Sequence, residues 1–319
     1  MPNSASALLA FLNAAKTPYH ACALVAQTLR DAGYVELDER SHWHPEPGMR
    51  AFVQRAGGSL VAIELGQRPP SEAGFVIIGA HTDSPNLRIK PQYQTRRAGI
   101  ESLSIEPYGG LLHSTWLDRS LSLAGRIVTE SGEVTLIDID RPLFSIPSLA
   151  IHMNRDVNTQ GLVLNAQQHL RPLLGLSAEG ATDDPLKDLV MEALRSVRGQ
   201  DAALPTAFDL CLLDATPARF EGKNDDMIAG GRLDNLVSCY SGLAALLDAG
   251  PPLAATRVLV LYDHEEVGSR SFAGAQSNLL GNVLDRLAER LSPNDPEAAF
   301  RAMAASMLLS ADMAHAVHP

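Results

Sequence analysis

The chain has 319 residues, of which 45% are hydrophobic, enough for a sizeable core in one large or two ordinary domains. Its 26 Lys and Arg against 37 Asp and Glu give a net charge of -11, which argues against nucleic acid and anionic membrane surfaces as partners. Three widely spaced cysteines, no apolar run of bilayer-spanning length and no leader pattern together predict a cytoplasmic protein without disulfides.

The first part of the chain is predicted to begin with two helices. Apolar residues recur at helical spacing over residues 8–12, and Thr17 followed by Pro18 is typical of an N-cap with proline at the first helical position. The second helix is predicted to end at Gly33. Short strand-like stretches follow, including residues 59–65.

Three short apolar runs predict strands of one sheet that is buried on both faces. They cover residues 75–80, 257–262 and, less regularly, 307–311. Helix-like stretches at 235–247 and 282–291 separate the later runs. Strands that alternate with helices indicate an α/β fold with a mostly parallel sheet, whose ligand site lies outside the carboxyl ends of the strands.

The middle of the chain has a different pattern, with strand-like pieces separated by polar loops. We therefore predict a β-rich domain at 91–230, inserted into a discontinuous α/β domain formed by 1–90 and 231–319. No internal repeat is visible.

A histidine and a carboxylate follow the first apolar run. Side chains two apart on a strand point the same way, so Asp83 could accept the proton of the far ring nitrogen of His81 and orient the ring as a metal ligand. Taken alone this pattern is weak, because a single histidine at a strand end is more often exposed or simply hydrogen-bonded.

Further acids stand at corresponding places. Residues 263–266 (DHEE) directly follow the second apolar run, and Asp312 follows the third. A non-functional interpretation of the DHEE cluster is a solvated charged loop. For Asp234, at a predicted helix start, it is an ordinary N-cap. However, His81, the DHEE cluster and Asp312 each lie at a predicted strand end, and such crowded carboxylates need cations to balance them. The pattern suits a pair of divalent ions such as zinc, manganese or cobalt.

The sequence resembles the aspartyl aminopeptidase family of dinuclear metallopeptidases over nearly its whole length. Six motifs in the family's order carry the resemblance: HTDSPNLRIKP from His81, STWLDRSLSLAGR from Ser114, IPSLAIHMNRDVN from Ile146, GGRLDNLVSCYSGLAAL from Gly230, DHEEVGS from Asp263 and SADMAHAVHP from Ser310. The resemblance implies a three-layer metallopeptidase domain, an inserted domain that forms a homo-oligomer, and removal of N-terminal, acidic residues from peptides.

The same resemblance implies a role for each matching residue. His81 and Asp312 would bind one metal ion, Asp234 would bridge both ions, and Glu266 would bind the second. Glu265 would be the general base.

Two further residues receive roles from the resemblance. Asp83 would orient the histidine ligand, and His152, in the inserted domain, would reach a neighbouring subunit's site as a substrate or transition-state contact, with direct metal ligation as the alternative. The family also has a later histidine that completes the second metal site and strands that finish the sheet. His315 and His318 do not match that histidine, so we expect the site and the sheet to be incomplete within these 319 residues.

Two alternatives to aminopeptidase activity remain at this point. The same metal centre would also suit a related amidohydrolase or deacylase. A non-catalytic assembly subunit that binds at most one metal ion is the other. The sequence singles out no cation that would read an acidic substrate side chain.

Overall fold

The computed structural model describes residues 4–177, 184–251 and 254–317. Its strands are, in chain order, β1 (Val35–Glu36), β2 (Arg50–Arg55), β3 (Ser59–Glu64), β4 (Phe75–His81), β5 (Asn86–Arg97), β6 (Ile100–Tyr108), β7 (Leu121–Thr129), β8 (Val134–Phe144), β9 (Leu173–Leu176), β10 (Pro205–Asp214), β11 (Arg219–Glu221), β12 (Met227–Ala229), β13 (Thr256–Tyr262) and β14 (Met307–Ser310). Its α-helices are α1 (Ala5–Ala14), α2 (Pro18–Asp31), α3 (Pro70–Ala73), α4 (Val157–Gln160), α5 (Ala166–His169), α6 (Pro185–Arg198), α7 (Leu233–Asp248), α8 (Leu279–Leu291) and α9 (Ala298–Ala304). Short 3-10 helices cover His113–Trp116, Ile151–Met153 and Glu265–Val267.

The chain divides into two compact units. The first combines Met1–Ser84 with Ala218–Pro319, and the second is Pro85–Pro217. The boundaries predicted from the sequence, after residues 90 and 230, lie further along the chain than these divisions. The first division falls earlier because β5 pairs with β6 and β10 of the second unit. The second falls earlier because Ala218 packs into the core of the first unit.

The first unit is built on a mostly parallel sheet with the strand order β1-β2-β3-β13-β4-β14. Both β13 and β14 run parallel to β4, and β1 runs parallel to β2, whereas β3 is antiparallel to its two neighbours. The α/β fold class predicted from the alternation of apolar runs and helices is confirmed.

Helices cover both faces of this sheet, which gives three layers. Alternation along β3 sends Leu60 and Ala62 into the core formed with α1, α2 and α7. The intervening Val61 and Ile63 enter the opposite core, formed with α8 and α9. Because successive side chains serve different cores, strand β3 is buried along its whole length.

The first two helices lie where the sequence predicts them. The Thr17 hydroxyl accepts a hydrogen bond from the main-chain NH of His20, and Pro18 occupies the first turn of α2. Helix α2 ends at Asp31, and Gly33 follows with φ of 85°, a left-handed conformation that glycine adopts readily. Among the described residues, every helix is too short or too polar to cross a lipid bilayer.

The second unit contains an antiparallel sheet with the strand order β8-β7-β10-β5-β6-β9. Its core also takes up one face of α6, a helix that the sequence analysis missed. The sequence does contain the pattern that predicts this helix. Asp184 caps the helix, Pro185 occupies its first turn, and the buried residues recur at helical spacing: Leu186, Val190, Met191 and Leu194.

Strand β14 lies where the third, less regular apolar run predicts a strand. It lies at one end of the strand order, and each of its residues is exposed, including Leu308 and Leu309. An apolar run alone does not distinguish a central strand from an edge strand. The prediction of a strand at this place is confirmed.

The close approach of Gly74 to a neighbouring main chain yields a stability prediction. Gly74 has φ of 71°, and a Cβ atom there would lie 2.2 Å from the main-chain oxygen of Ala305, just before β14. A Gly74→Ala change should therefore add a backbone displacement to the left-handed strain of about 1–2 kcal/mol. Gly250→Ala is the matched control, because Gly250 has φ of 67° and open space around it. We expect urea denaturation to show the Gly74 variant less stable by about 1–3 kcal/mol more than the control; equal losses would refute the steric argument.

Candidate metal centre

Three parallel strand ends bring the predicted site residues to one edge of the first unit's sheet. Strand β4 ends at His81, and its neighbours on either side are β13 and β14. Asp263 directly follows β13, and Asp312 follows β14 after one intervening residue. Because the three strands are parallel, their carboxyl ends lie side by side.

The Nε2 atom of His81 faces three carboxylates. It lies 3.3 Å from Asp234 Oδ1, 3.5 Å from Asp312 Oδ1 and 3.8 Å from Glu265 Oε2. The imidazole is buried, with 6% of its side-chain surface exposed, whereas the exposed fractions of the acids are 55%, 63% and 48% in the same order. The cluster therefore has a buried histidine and an exposed acidic side.

Glu266 joins this cluster as a further potential ligand. One ligand atom from each of His81, Asp234 and Glu266 lies within 4.8 Å of the other two. An imidazole nitrogen with carboxylate oxygens is a donor set that zinc accepts, and that manganese and cobalt also accept. The residues present therefore fit a divalent cation.

The pKa values of two acids in the cluster also indicate a cation site. Burial raises the pKa of Glu266 to about 7, helped by the negative charges of Asp83, Asp234 and Glu265 and opposed by His81. Burial and the charge of Asp312 likewise raise the pKa of Asp234. Neighbouring carboxylates repel one another when all are ionised, and a bound cation offsets that repulsion.

The same acidic groups also raise the pKa of His81. Burial by itself lowers its pKa, but the hydrogen bond and charge of Asp83, together with the charge of Glu265, raise it to about 9. A divalent cation would take the place of that proton on the ring nitrogen.

Asp83 contacts both His81 and the loop that follows β13. The shorter contact of His81 Nδ1 is with the main-chain oxygen of Asp83, at 3.0 Å, and the carboxylate oxygen is 3.4 Å away. The fully buried carboxylate also accepts the main-chain NH groups of Glu265 and Glu266, each at 3.1 Å. Asp83 thus links the histidine to the loop that carries both glutamates.

Asp234 lies at the start of α7 but does not cap it. The N-cap is Arg232, and Asp234 has φ of -81° and ψ of 110°, outside the helical region. The main-chain oxygen of Asp234 accepts a hydrogen bond from the Ser84 hydroxyl at 2.6 Å, and Asn235 Nδ2 donates to the Ala311 oxygen at 2.9 Å. These bonds connect Asp234 and its neighbour Asn235 to the segments that follow β4 and β14. Because the N-cap is Arg232, the simple N-cap interpretation of Asp234 is wrong.

Cys239 is a supporting residue that the sequence analysis did not identify. Its thiol donates to the main-chain oxygen of His81, with Sγ and O 2.9 Å apart. Burial raises the pKa of Cys239, so the thiol keeps the proton that it donates. Neither this contact nor that of Ser84 has a sequence signal, because both depend on how α7 packs on the sheet.

Three further histidines stand in the motifs described above. His152 lies in the 3-10 helix Ile151–Met153 of the second unit and is exposed. His315 is also exposed and is not a member of the ligand group found among the described residues. His318 lies outside the described residues.

The chain matches the family described as Aminopeptidase I zinc metalloprotease (M18) over residues 11–319. It is 47% identical to a probable M18 family aminopeptidase 2 of Stutzerimonas stutzeri, with 98% of this chain and 71% of that relative covered. The resemblance drawn from the six sequence motifs is therefore confirmed.

Solved structures of related aminopeptidases have the same fold as this chain. Ape4 in the cryo-EM structure of the Ape4 and Nbr1 complex matches with a TM-score of 0.92 and 36% identity, over 98% of this chain and 64% of that chain. The S. cerevisiae mApe1 dodecamer matches with a TM-score of 0.80 and 26% identity, over 98% of this chain and 72% of that chain. This chain thus spans about two thirds of the Ape4 chain. It belongs to the M18 family of aminopeptidase I zinc metalloproteases, metal-dependent enzymes that hydrolyse peptides.

Proposed function

We propose that this chain is a subunit of a two-metal aminopeptidase that removes acidic residues from the N-termini of peptides. The observation that carries the proposal is the meeting of His81, Asp234, Glu265 and Asp312 at the carboxyl ends of parallel strands. The preference for acidic residues rests on the motif resemblance alone.

The donor set supports the following division of roles. His81 and Asp312 would hold one ion, Asp234 would be shared by both ions, and Glu266 would hold the second. When bound, zinc ions would supply Lewis-acid polarisation of the scissile carbonyl and acidify the attacking water, as manganese or cobalt also would. Glu265 would accept a proton from the attacking water and deliver it to the leaving amine, a role that typically contributes about 10²- to 10⁴-fold.

The contacts of Asp83 support the separation between Glu265 and Glu266. Both glutamates are held through their main-chain NH groups, so their side chains are free to differ in function. Glu265 has the more exposed position and Glu266 belongs to the ligand group. This arrangement suits a base that faces the substrate beside a ligand that faces the metal.

Assembly and location are also part of the proposal. We propose a homo-oligomer formed through the inserted domain, supported by the dodecamer of the related mApe1. A cytoplasmic location is supported by three buried cysteines that are free thiols.

Dependence on a free amine tests the aminopeptidase assignment. We expect the natural gene product, loaded with zinc, to hydrolyse a peptide with N-terminal Asp and to leave the same peptide intact when its amine is acetylated. The comparison separates aminopeptidase from deacylase action, because a deacylase requires the acylated amine. Faster turnover of the acetylated peptide would overturn the assignment.

His152 gives a prediction about the oligomer. The residue is exposed in the second unit, and we propose that it contacts the substrate in a neighbouring subunit's site. His152→Ala should therefore keep its zinc and lose turnover. Mixing it with Glu265→Gln subunits should recover part of the activity, because one chain supplies the base and the other supplies the histidine.

The control for this experiment is the double variant, which carries His152→Ala and Glu265→Gln in the same chain and is taken through the same subunit exchange. The double variant should stay inactive, whereas the mixture of the two single variants should regain activity. No recovery in that mixture would show that His152 acts within its own subunit or has no role in turnover.

A further inference from the structure

The second unit contains a cavity of about 880 Å³ beside the turn between β5 and β6. Its lining includes Arg96, Arg97, His169 and Arg171 together with the apolar side chains of Ile100 and Leu173. A volume of this size is within the range of small-molecule sites. The grouping of three arginines is notable in a chain whose net charge is -11.

Two of the arginines in this cavity are not neutralised. Arg96 forms an ion pair with Glu101 at 2.5 Å. Among the residues that the structure describes, Arg97 and Arg171 form no ion pair, and the Nε atom of Arg171 donates to the main-chain oxygen of Gln167 at 3.2 Å. Both side chains are exposed, so they offer donors to a ligand without first breaking a contact with a carboxylate.

The hairpin fixes where Arg97 stands. Arg97 pairs with Ile100 across a two-residue turn whose residues, Ala98 and Gly99, have φ of 51° and 75°. Such a turn matches the twist of the strands it joins. The main-chain oxygen of Gly99 also accepts a hydrogen bond from the NH of Ser177 at 2.8 Å. Arg97 therefore projects from a turn that is held from two sides.

His169 adds a neutral donor to the same wall. Its Nδ1 atom accepts the main-chain NH of Asn165 at 3.0 Å. Since a neutral imidazole carries one ring proton, the other nitrogen, Nε2, bears it and is a donor. The cavity thus combines two charged donors and one neutral donor with an apolar side made by Ile100 and Leu173.

We propose that this cavity binds a small organic anion. A phosphate or carboxylate would bind Arg97 and Arg171, whose planar guanidinium groups match these anions. The apolar body of the ligand would contact Ile100 and Leu173. A long polyanion is disfavoured, because the chain as a whole repels it.

Calorimetric titration with phenyl phosphate tests this proposal. Phenyl phosphate combines the anion with an apolar ring, whereas inorganic phosphate supplies the anion alone and phenol supplies the ring alone. We expect saturable binding of phenyl phosphate at millimolar concentration or below, and weaker binding of the other two. Equal affinity for inorganic phosphate and phenyl phosphate would overturn the apolar part of the proposal.

Substitutions locate the binding. Arg97→Gln and Arg171→Gln should each weaken phenyl phosphate binding about tenfold, because each removes a charge-assisted hydrogen bond. Arg195→Gln is the matched control, since Arg195 is an exposed arginine of α6 that does not line the cavity. Circular dichroism checks that each variant is folded. Absence of saturable binding by the unaltered protein, or equal binding by all three variants, would overturn the proposal.

Discussion

Glu265→Gln should leave the enzyme with its metal and almost without activity. Glutamine has nearly the shape of glutamate but cannot accept a proton, so the base is lost while the main-chain bonds to Asp83 remain. Removal of a general base typically costs about 10²- to 10⁴-fold in rate. The measurement is hydrolysis of an N-terminal Asp peptide by the natural gene product, with zinc content determined on the same samples.

A matched control separates this effect from a general loss of negative charge. Glu289→Gln makes the same change on the exposed surface of α8, in the same unit but away from the strand ends. It should retain both turnover and zinc. If Glu265→Gln lost its zinc and kept its rate with the zinc restored, Glu265 would be a ligand and the proposed base would be wrong.

Glu266→Gln should have the opposite pattern, with a loss of bound zinc. The substitution removes one of the three ligand groups that lie within 4.8 Å of one another. Changes to residues that merely support a ligand typically cost about 10- to 100-fold in metal affinity, so loss of the ligand itself should cost more. Competition with a chelator measures the affinity.

Excess zinc provides the internal control for this variant. Turnover by Glu266→Gln should recover in part as zinc is raised, because the base at position 265 is intact. Turnover by Glu265→Gln should not respond. A Glu266→Gln protein with unchanged zinc affinity would exclude this residue as a ligand.

The sequence predicted the strands that carry the site better than it predicted their surroundings. The runs that become β4 and β13 are apolar and end abruptly at His81 and Asp263, so both the strand and its end are visible locally. Parallel pairing then brings these ends together. The fold class followed from the same alternation of apolar runs and helices.

Other features depend on distant parts of the chain and could not be predicted. The role of Asp83 depends on its reach to the main chain after β13, and local spacing suggested only a contact with His81. The place of β14 in the strand order is likewise not given by its apolar run alone. Helix α6 was missed although its cap and periodicity are visible, because the surrounding strand-like pieces dominated the interpretation.

We propose that the cluster around His81 is a two-metal hydrolytic centre. Zinc titration of the metal-free natural gene product tests it most directly, with bound zinc and hydrolysis of an N-terminal Asp peptide measured in the same samples. We predict two zinc ions per chain and hydrolysis that appears only as the second binds. Full hydrolysis by the metal-free protein, or by a protein that binds at most one zinc ion per chain, would contradict this account.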